Sequence, residues 1–248
     1  MDQQAFRWTQ TDITGKDLLH AMRTGIFPAL KETPLVTATV LTLGLYSRLS
    51  SAKDRHDWVQ FAAEISHVHP CRILVIEPTA QREGPNHLDA DISAVINYSR
   101  HREWPVLYSE CVHLSLKGAL RHQWIDLVLP LVSSDLPAYF YWIGDPPDDT
   151  FRWDLLATGF RHLLIDSGAD SLHRWGPALH AARQQHLSID DLDWQRLAPW
   201  RAQWAFIADL ELGSALFFHP KTITIRAPLK DSGRWQLLLG WLADRLNW

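Results

Sequence analysis

Two cysteines among 248 residues, Cys71 and Cys111, exclude a disulfide framework. Both lie in apolar stretches that read as strands, and two buried free thiols in a reducing cytosol are expected. Lysine is scarce and arginine scattered, with a formal net charge of −4. Without a basic patch the chain is not expected to bind nucleic acid. The short cluster Arg100-His101-Arg102 reads as a solvated loop. Long apolar runs are missing too. The longest uncharged stretch, residues 33–47, carries four threonines and a serine and is too short to span a bilayer. The polar residues 1–16 lack the basic-then-apolar pattern of a signal peptide. A soluble, cytoplasmic protein without membrane contact is the expectation.

The motifs of common chemistries are missing as well. No two glycines stand at i, i+2, which removes the dinucleotide fingerprint G-x-G-x-x-G. There is no P-loop, no G-x-S-x-G nucleophile elbow, no H-E-x-x-H and no C-x-x-C. No catalytic residue, cofactor or metal is therefore expected. His67 and His69 stand at i, i+2 before Pro70 and read as loop or helix-end residues rather than ligands. His173 and His180, seven apart on one helix, cannot chelate one ion directly.

What is present is an ordinary globular composition, 46% hydrophobic and 21% charged, with an unusual thirteen tryptophans. Thr37–Tyr46 alternates and reads as a strand, Ser51–His67 as a helix ended by Pro70, and Cys71–Ile76 as a buried strand. Strands follow at Asp91–Tyr98 and Val106–Leu114, and a helix at Leu116–Val132. Pro137–Ile143 and His162–Ile165 read as strands, with a short helix at Phe151–Gly159 between them. Beyond lie a helix at Asp170–Gln185, one or two helices over Asp190–Leu210, a strand at Thr222–Arg226 and a last helix at Ser232–Leu246. This alternation predicts an α/β fold: a mixed, largely parallel sheet flanked by helices, with a helical, Trp-rich C-terminal part. The expected division is an N-terminal arm or helix over 1–34, an α/β lobe over 35–168 and a C-terminal α/β lobe over 169–248.

Large aromatic and arginine side chains carry protein interfaces. Trp194, Arg196, Trp200, Arg201 and Trp204 concentrate both types. Trp200, Trp204 and Ile207 share one helix face, which reads first as core and second as interface. Trp241 and Trp248 repeat that choice on the last helix. The acidic run Asp190, Asp191, Asp193 suits a helix N-terminus. Asp166-Ser167 reads first as a helix cap. At the end of a strand it could also join Arg72 in an anion or ligand site.

Several phrases together resemble the OpcA family. These are His69-Pro70-Cys71-Arg72 entering an apolar strand, Leu136-Pro137 through Trp142-Ile143-Gly144-Asp145-Pro146, and Leu164-Ile165-Asp166-Ser167. Asp193-Trp194-Gln195-Arg196-Leu197 with Pro199-Trp200-Arg201 is a fourth, and Gly240-Trp241-Leu242-Ala243-Asp244-Arg245-Leu246 with Trp248 a fifth. The resemblance implies a non-catalytic partner of glucose-6-phosphate dehydrogenase that promotes its active oligomer or activates it allosterically, in the oxidative pentose phosphate route that supplies NADPH. With only Cys71 and Cys111, redox control through cysteines is not expected. Three readings compete: this assembly protein, a sugar-phosphate sensor or small enzyme using Arg72, Asp166, Ser167 and Arg201, and a self-assembling homo-oligomer.

Overall fold

The computed structural model describes residues 5–24, 35–37, 39–47, 60–61, 64–66, 68–79, 84–97, 106–167, 172–210, 222, 224, 226 and 232–247. The chain divides into two compact units, Met1–Gly144 with Arg152–Leu163, and Asp145–Phe151 with Leu164–Trp248.

The first unit is a mixed sheet. Its strands are β1 (Ala5–Gln10), β2 (Leu35–Thr37), β3 (Leu41–Ser47), β4 (Cys71–Pro78), β5 (His87–Asn97), β6 (Val106–Lys117) and β7 (Ala138–Ile143). They run in the order β1-β5-β6-β4-β3-β7, with β2 on β6. The pairs β3–β4, β3–β7, β4–β6 and β2–β6 are parallel, while β1–β5 and β5–β6 are antiparallel. Parallel strands must be covered on both faces, and β4 reads accordingly, with Cys71 and residues 73–76 fully buried.

Residues 1–34 contribute β1 to the sheet edge and α1 (Gly15–Thr24). The α1 N-terminus closes through Thr14 and Asp17, whose carboxylate accepts from Thr14 N at 2.9 Å and Thr14 Oγ1 at 2.6 Å. Those bonds hold the Asp17 carboxyl below its ordinary range.

One sheet face carries an aromatic core. Tyr46 stacks on Trp142 with ring centroids 4.2 Å apart, Trp124 on Phe140 at 5.2 Å, and Phe160 meets Phe140 edge-on at 5.0 Å. Trp124 belongs to α2 (Trp124–Val128), and Trp153 of α3 (Trp153–Gly159) closes over Trp142. Gly44 lets these rings approach the backbone: a Cβ there would stand 2.6 Å from Phe140 Cδ2.

Two expected elements differ. The single strand over Thr37–Tyr46 is two strands, β2 and β3, with different neighbours. The helix expected from Leu116 to Val132 is broken. β6 continues to Lys117, and Gly118 then takes φ +63°, a left-handed conformation open to glycine. Asn86 Oδ1 accepts from Ala119 N at 2.8 Å to hold that turn, and only short 3₁₀ and α segments follow, with Pro130 in the last. Of the helix expected over Ser51–His67, residues 60, 61 and 64–66 are helical, while 51–59, 62, 63 and His67 lie outside the described residues. His69 is exposed and its N–H donates to Ile65 O at 2.8 Å.

Both cysteines are buried and free. Desolvation raises the Cys71 thiol to about 11, against a bond from Ser66, and the Cys111 thiol to about 12, with the Asp91 carboxylate adding to burial. At pH 8 the thiolate fraction is then on the order of 10⁻³ or less. Neither thiol is expected to react with a disulfide reagent at pH 8 until the chain is unfolded, whereupon both should titrate. Rapid labelling of the native protein would contradict this burial.

The second unit holds the end of β8 (His162–Ile165), α4 (Leu172–Gln184), β9 (Ser188–Asp191), α5 (Leu192–Arg196), α6 (Ala198–Ala208) and α7 (Ser232–Leu246). Leu197, Leu238 and Leu242 form its buried C-terminal cluster, flanked by Trp204, Trp235 and Trp241. The strand expected at Thr222–Arg226 lies largely outside the described residues. The whole is an α/β protein: a mixed, largely parallel sheet, flanking helices and a helical Trp-rich C-terminal part.

Candidate functional site

Asp191 ends β9 and caps α5, its Oδ1 accepting from Asp193 N at 2.9 Å. This is the helix-start role expected of the acidic run. Asp191 also ties down the end of β8, accepting from Ser167 N at 3.3 Å and from Ser167 Oγ. Next to it Asp193 is fully buried. Its Oδ1 accepts from Arg196 Nη1 at 2.8 Å and from Arg234 Nε and Nη2 at 3.1 and 2.9 Å. Arg196 Nη1 reaches both oxygens of Asp166 at 2.9 Å. Asp193 foremost, then Asp166, push the Arg196 guanidinium further toward its charged form. These side chains form one polar junction, in which Asp193 Oδ2 is buried without a hydrogen-bond partner.

Asp166 and Ser167 are therefore bound to Arg196 and Asp191 in the second unit. Arg72 belongs to the first, where Nε donates to Glu110 at 2.7 Å and Nη1 to Leu131 O at 2.9 Å.

A second feature adjoins the junction in sequence. Arg201 lies over the Trp194 ring, 3.6 Å from its centroid, and donates to Trp194 O. Burial lowers its pKa. Pro199 starts α6 in a position where a missing N–H costs nothing. No residue of α6 is buried. Trp200 is 54% exposed and Phe206 63%, with Ile207 and then Leu210 also exposed. Trp204 of the expected aromatic face packs against the leucine cluster. Trp200 meets Trp235 edge-on, centroids 6.1 Å apart. Between them opens a cleft of about 200 Å³. Its walls are Trp200, Trp204 and Trp235, its buried lining Leu238 and Leu242, and its exposed lining Thr224 and Arg226.

The structure thus brings Trp194, Arg196, Trp200, Arg201 and Trp204 into one short helical stretch, with Trp241 on the leucine cluster; Trp248 lies outside the described residues. Phe206, Trp235, Arg226 and Arg234 were missed. The i, i+4 spacing of Phe206 and Leu210 was a legible signal, but the long-range pairing of Arg234 had none. Among the described residues, no three His, Cys, Asp or Glu side chains are placed to hold a metal, and no helix is long and apolar enough to cross a membrane.

The described residues thus form an α/β protein in which an exposed aromatic helix stands beside a tryptophan-walled cleft. Two family models cover most of the chain. Residues 62–173 match the N-terminal domain, and residues 187–248 the C-terminal domain, of what both descriptions call a glucose-6-phosphate dehydrogenase subunit. The chain belongs to the OpcA family. Among its relatives are proteins named putative OxPP cycle protein OpcA. That of Nostoc punctiforme is 26% identical over 76% of this chain and 40% of its own length. That of Synechococcus elongatus is 26% identical over 74% and 41%, and that of Synechocystis sp. 23% identical over 99% and 50%. The chain spans at most about half the length of these curated relatives.

Proposed function

We propose that this chain is a non-catalytic protein that binds glucose-6-phosphate dehydrogenase and favours its active oligomer or active conformation, through the aromatic surface of α6. The observation that carries the reading is the exposure of Trp200, Phe206, Ile207 and Leu210 on and just beyond a helix with no buried residue. Single scattered exposed apolar residues need no explanation, whereas Trp200, Phe206, Ile207 and Leu210 lie close together along the chain. The family descriptions, which name a dehydrogenase subunit, supply the partner. An effector of this kind acts by binding one state of the enzyme more tightly, and a preference of ~1–3 kcal/mol shifts activity about 5- to 150-fold at most.

The test follows NADPH formation and oligomer mass together, with the dehydrogenase from the same organism alone and with added chain. A saturable rise in activity or assembly is expected. Phe206→Ser and Trp200→Ala should each weaken it by about tenfold or more, as truncation of an interface anchor does. Arg201→Ala should act less directly, because Arg201 is engaged with Trp194. No complex at micromolar concentrations would remove the reading.

A further inference from the structure

We infer that the tryptophan-walled cleft is a socket for one large apolar side chain of the partner, presented next to a carboxylate that pairs with Arg226. The inference rests on the proposed function for the partner's identity, but the chemistry of the socket stands on its own geometry. Volume decides the size of the occupant. Cofactor and drug-sized ligands need roughly 300–1,000 Å³, whereas an apolar cavity of roughly 150 Å³ accommodates benzene. At about 200 Å³ the cleft has room for a single ring or a branched aliphatic group. Its walls are three indoles, which suit edge-on or stacked contact with another ring.

Charge decides what stands beside that group. Arg226 is the single charged residue of the lining, it is exposed, and it forms no ion pair among the described residues. Three other guanidinium groups of the second unit are engaged: Arg196 and Arg234 by Asp193, Arg201 by Trp194. A guanidinium at the mouth of an apolar cleft supplies donors and no acceptor. It selects an anionic oxygen and rejects a lysine or arginine neighbour. The recognised element is therefore an aromatic or branched aliphatic side chain flanked by Asp or Glu.

The test has two arms. In the first, the full chain is titrated with 3-phenylpropionate and, separately, with the uncharged 3-phenylpropanol. The indole N–H resonances of Trp200, Trp204 and Trp235 are followed by NMR, each identified by its Trp→Phe variant. Saturable shifts of these signals are expected, with propionate binding about tenfold more tightly than propanol, and Arg226→Gln should abolish that difference. If the signals do not move, or the two probes bind alike, the socket is overturned whatever the dehydrogenase does. In the second arm the dissociation constant for the dehydrogenase is measured at low and high salt. Arg226→Glu should raise it at least about tenfold and flatten its salt dependence, and Arg226→Lys should recover part of the loss. Wild-type binding that Arg226→Glu leaves unchanged overturns the socket while the proposed function stands. A chain that binds the probes as expected but not the dehydrogenase keeps the socket's chemistry and overturns its assigned occupant.

Discussion

Arg234→Ala is expected to destabilise the second unit by about 3 kcal/mol, more than removal of the charge it faces. Asp193 is fully buried, so its carboxylate has exchanged water for three donated bonds on Oδ1. Two of those come from Arg234. Without it, a desolvated carboxylate is left with one N–H of Arg196, which Asp166 also uses. Breaking a buried pair in this way costs about 3–5 kcal/mol. The lower end applies because the Arg234 side chain is 34% exposed and partly screened by solvent. Asp193→Asn removes the buried charge itself and keeps an acceptor in place, while both arginines can rehydrate, so about 1–2 kcal/mol is expected. The double variant should consequently be more stable than Arg234→Ala alone. Urea unfolding of the four proteins measures this. A double variant less stable than Arg234→Ala would mean that Asp193 does not depend on Arg234 for its charge.

Trp142→Ala should cost about 3–5 kcal/mol, the range for deleting a fully buried aromatic side chain. Its ring is 2% exposed, stacks on Tyr46 and lies under Trp153, so truncation opens a cavity that the packed sheet around it cannot collapse to fill. The same substitution at Trp200 should cost under about 1 kcal/mol, because the ring is more than half exposed. Its effect should appear in partner binding instead. Thermal unfolding of the two variants, beside their affinity for the dehydrogenase, separates the two kinds of tryptophan. Equal loss of stability would make Trp200 a core residue and withdraw α6 as a docking surface.

These pairs show what a local pattern carries. Asp191 and Asp193 were legible as a helix start because a cap acts within three residues. That Asp193 is also a buried junction was not, since Arg234 stands 41 positions away. The helical face of Trp200, Trp204 and Ile207 was legible from its spacing. Whether it lies inside or outside depends on what packs over it: Trp204 packs on the leucine cluster, while Trp200 and Ile207 stay exposed. Residues 37–46 alternate as one strand does, yet pairing partners far along the chain separate them into β2 and β3.

By itself, then, the sequence determined the elements whose cause is local. The apolar run of β4, the strand β8 and the long amphipathic helix α7 follow from periodicity, and the family follows from phrases kept in order. Tertiary structure decided the rest: the order of the strands, the break at Gly118 where Asn86 holds a left-handed turn, the engagement of Arg72 by Glu110, and the exposure of Trp200 and Phe206. The physical reason is the same in each case. Backbone conformation responds mainly to near neighbours, whereas burial and charge pairing depend on groups that only the folded chain brings together.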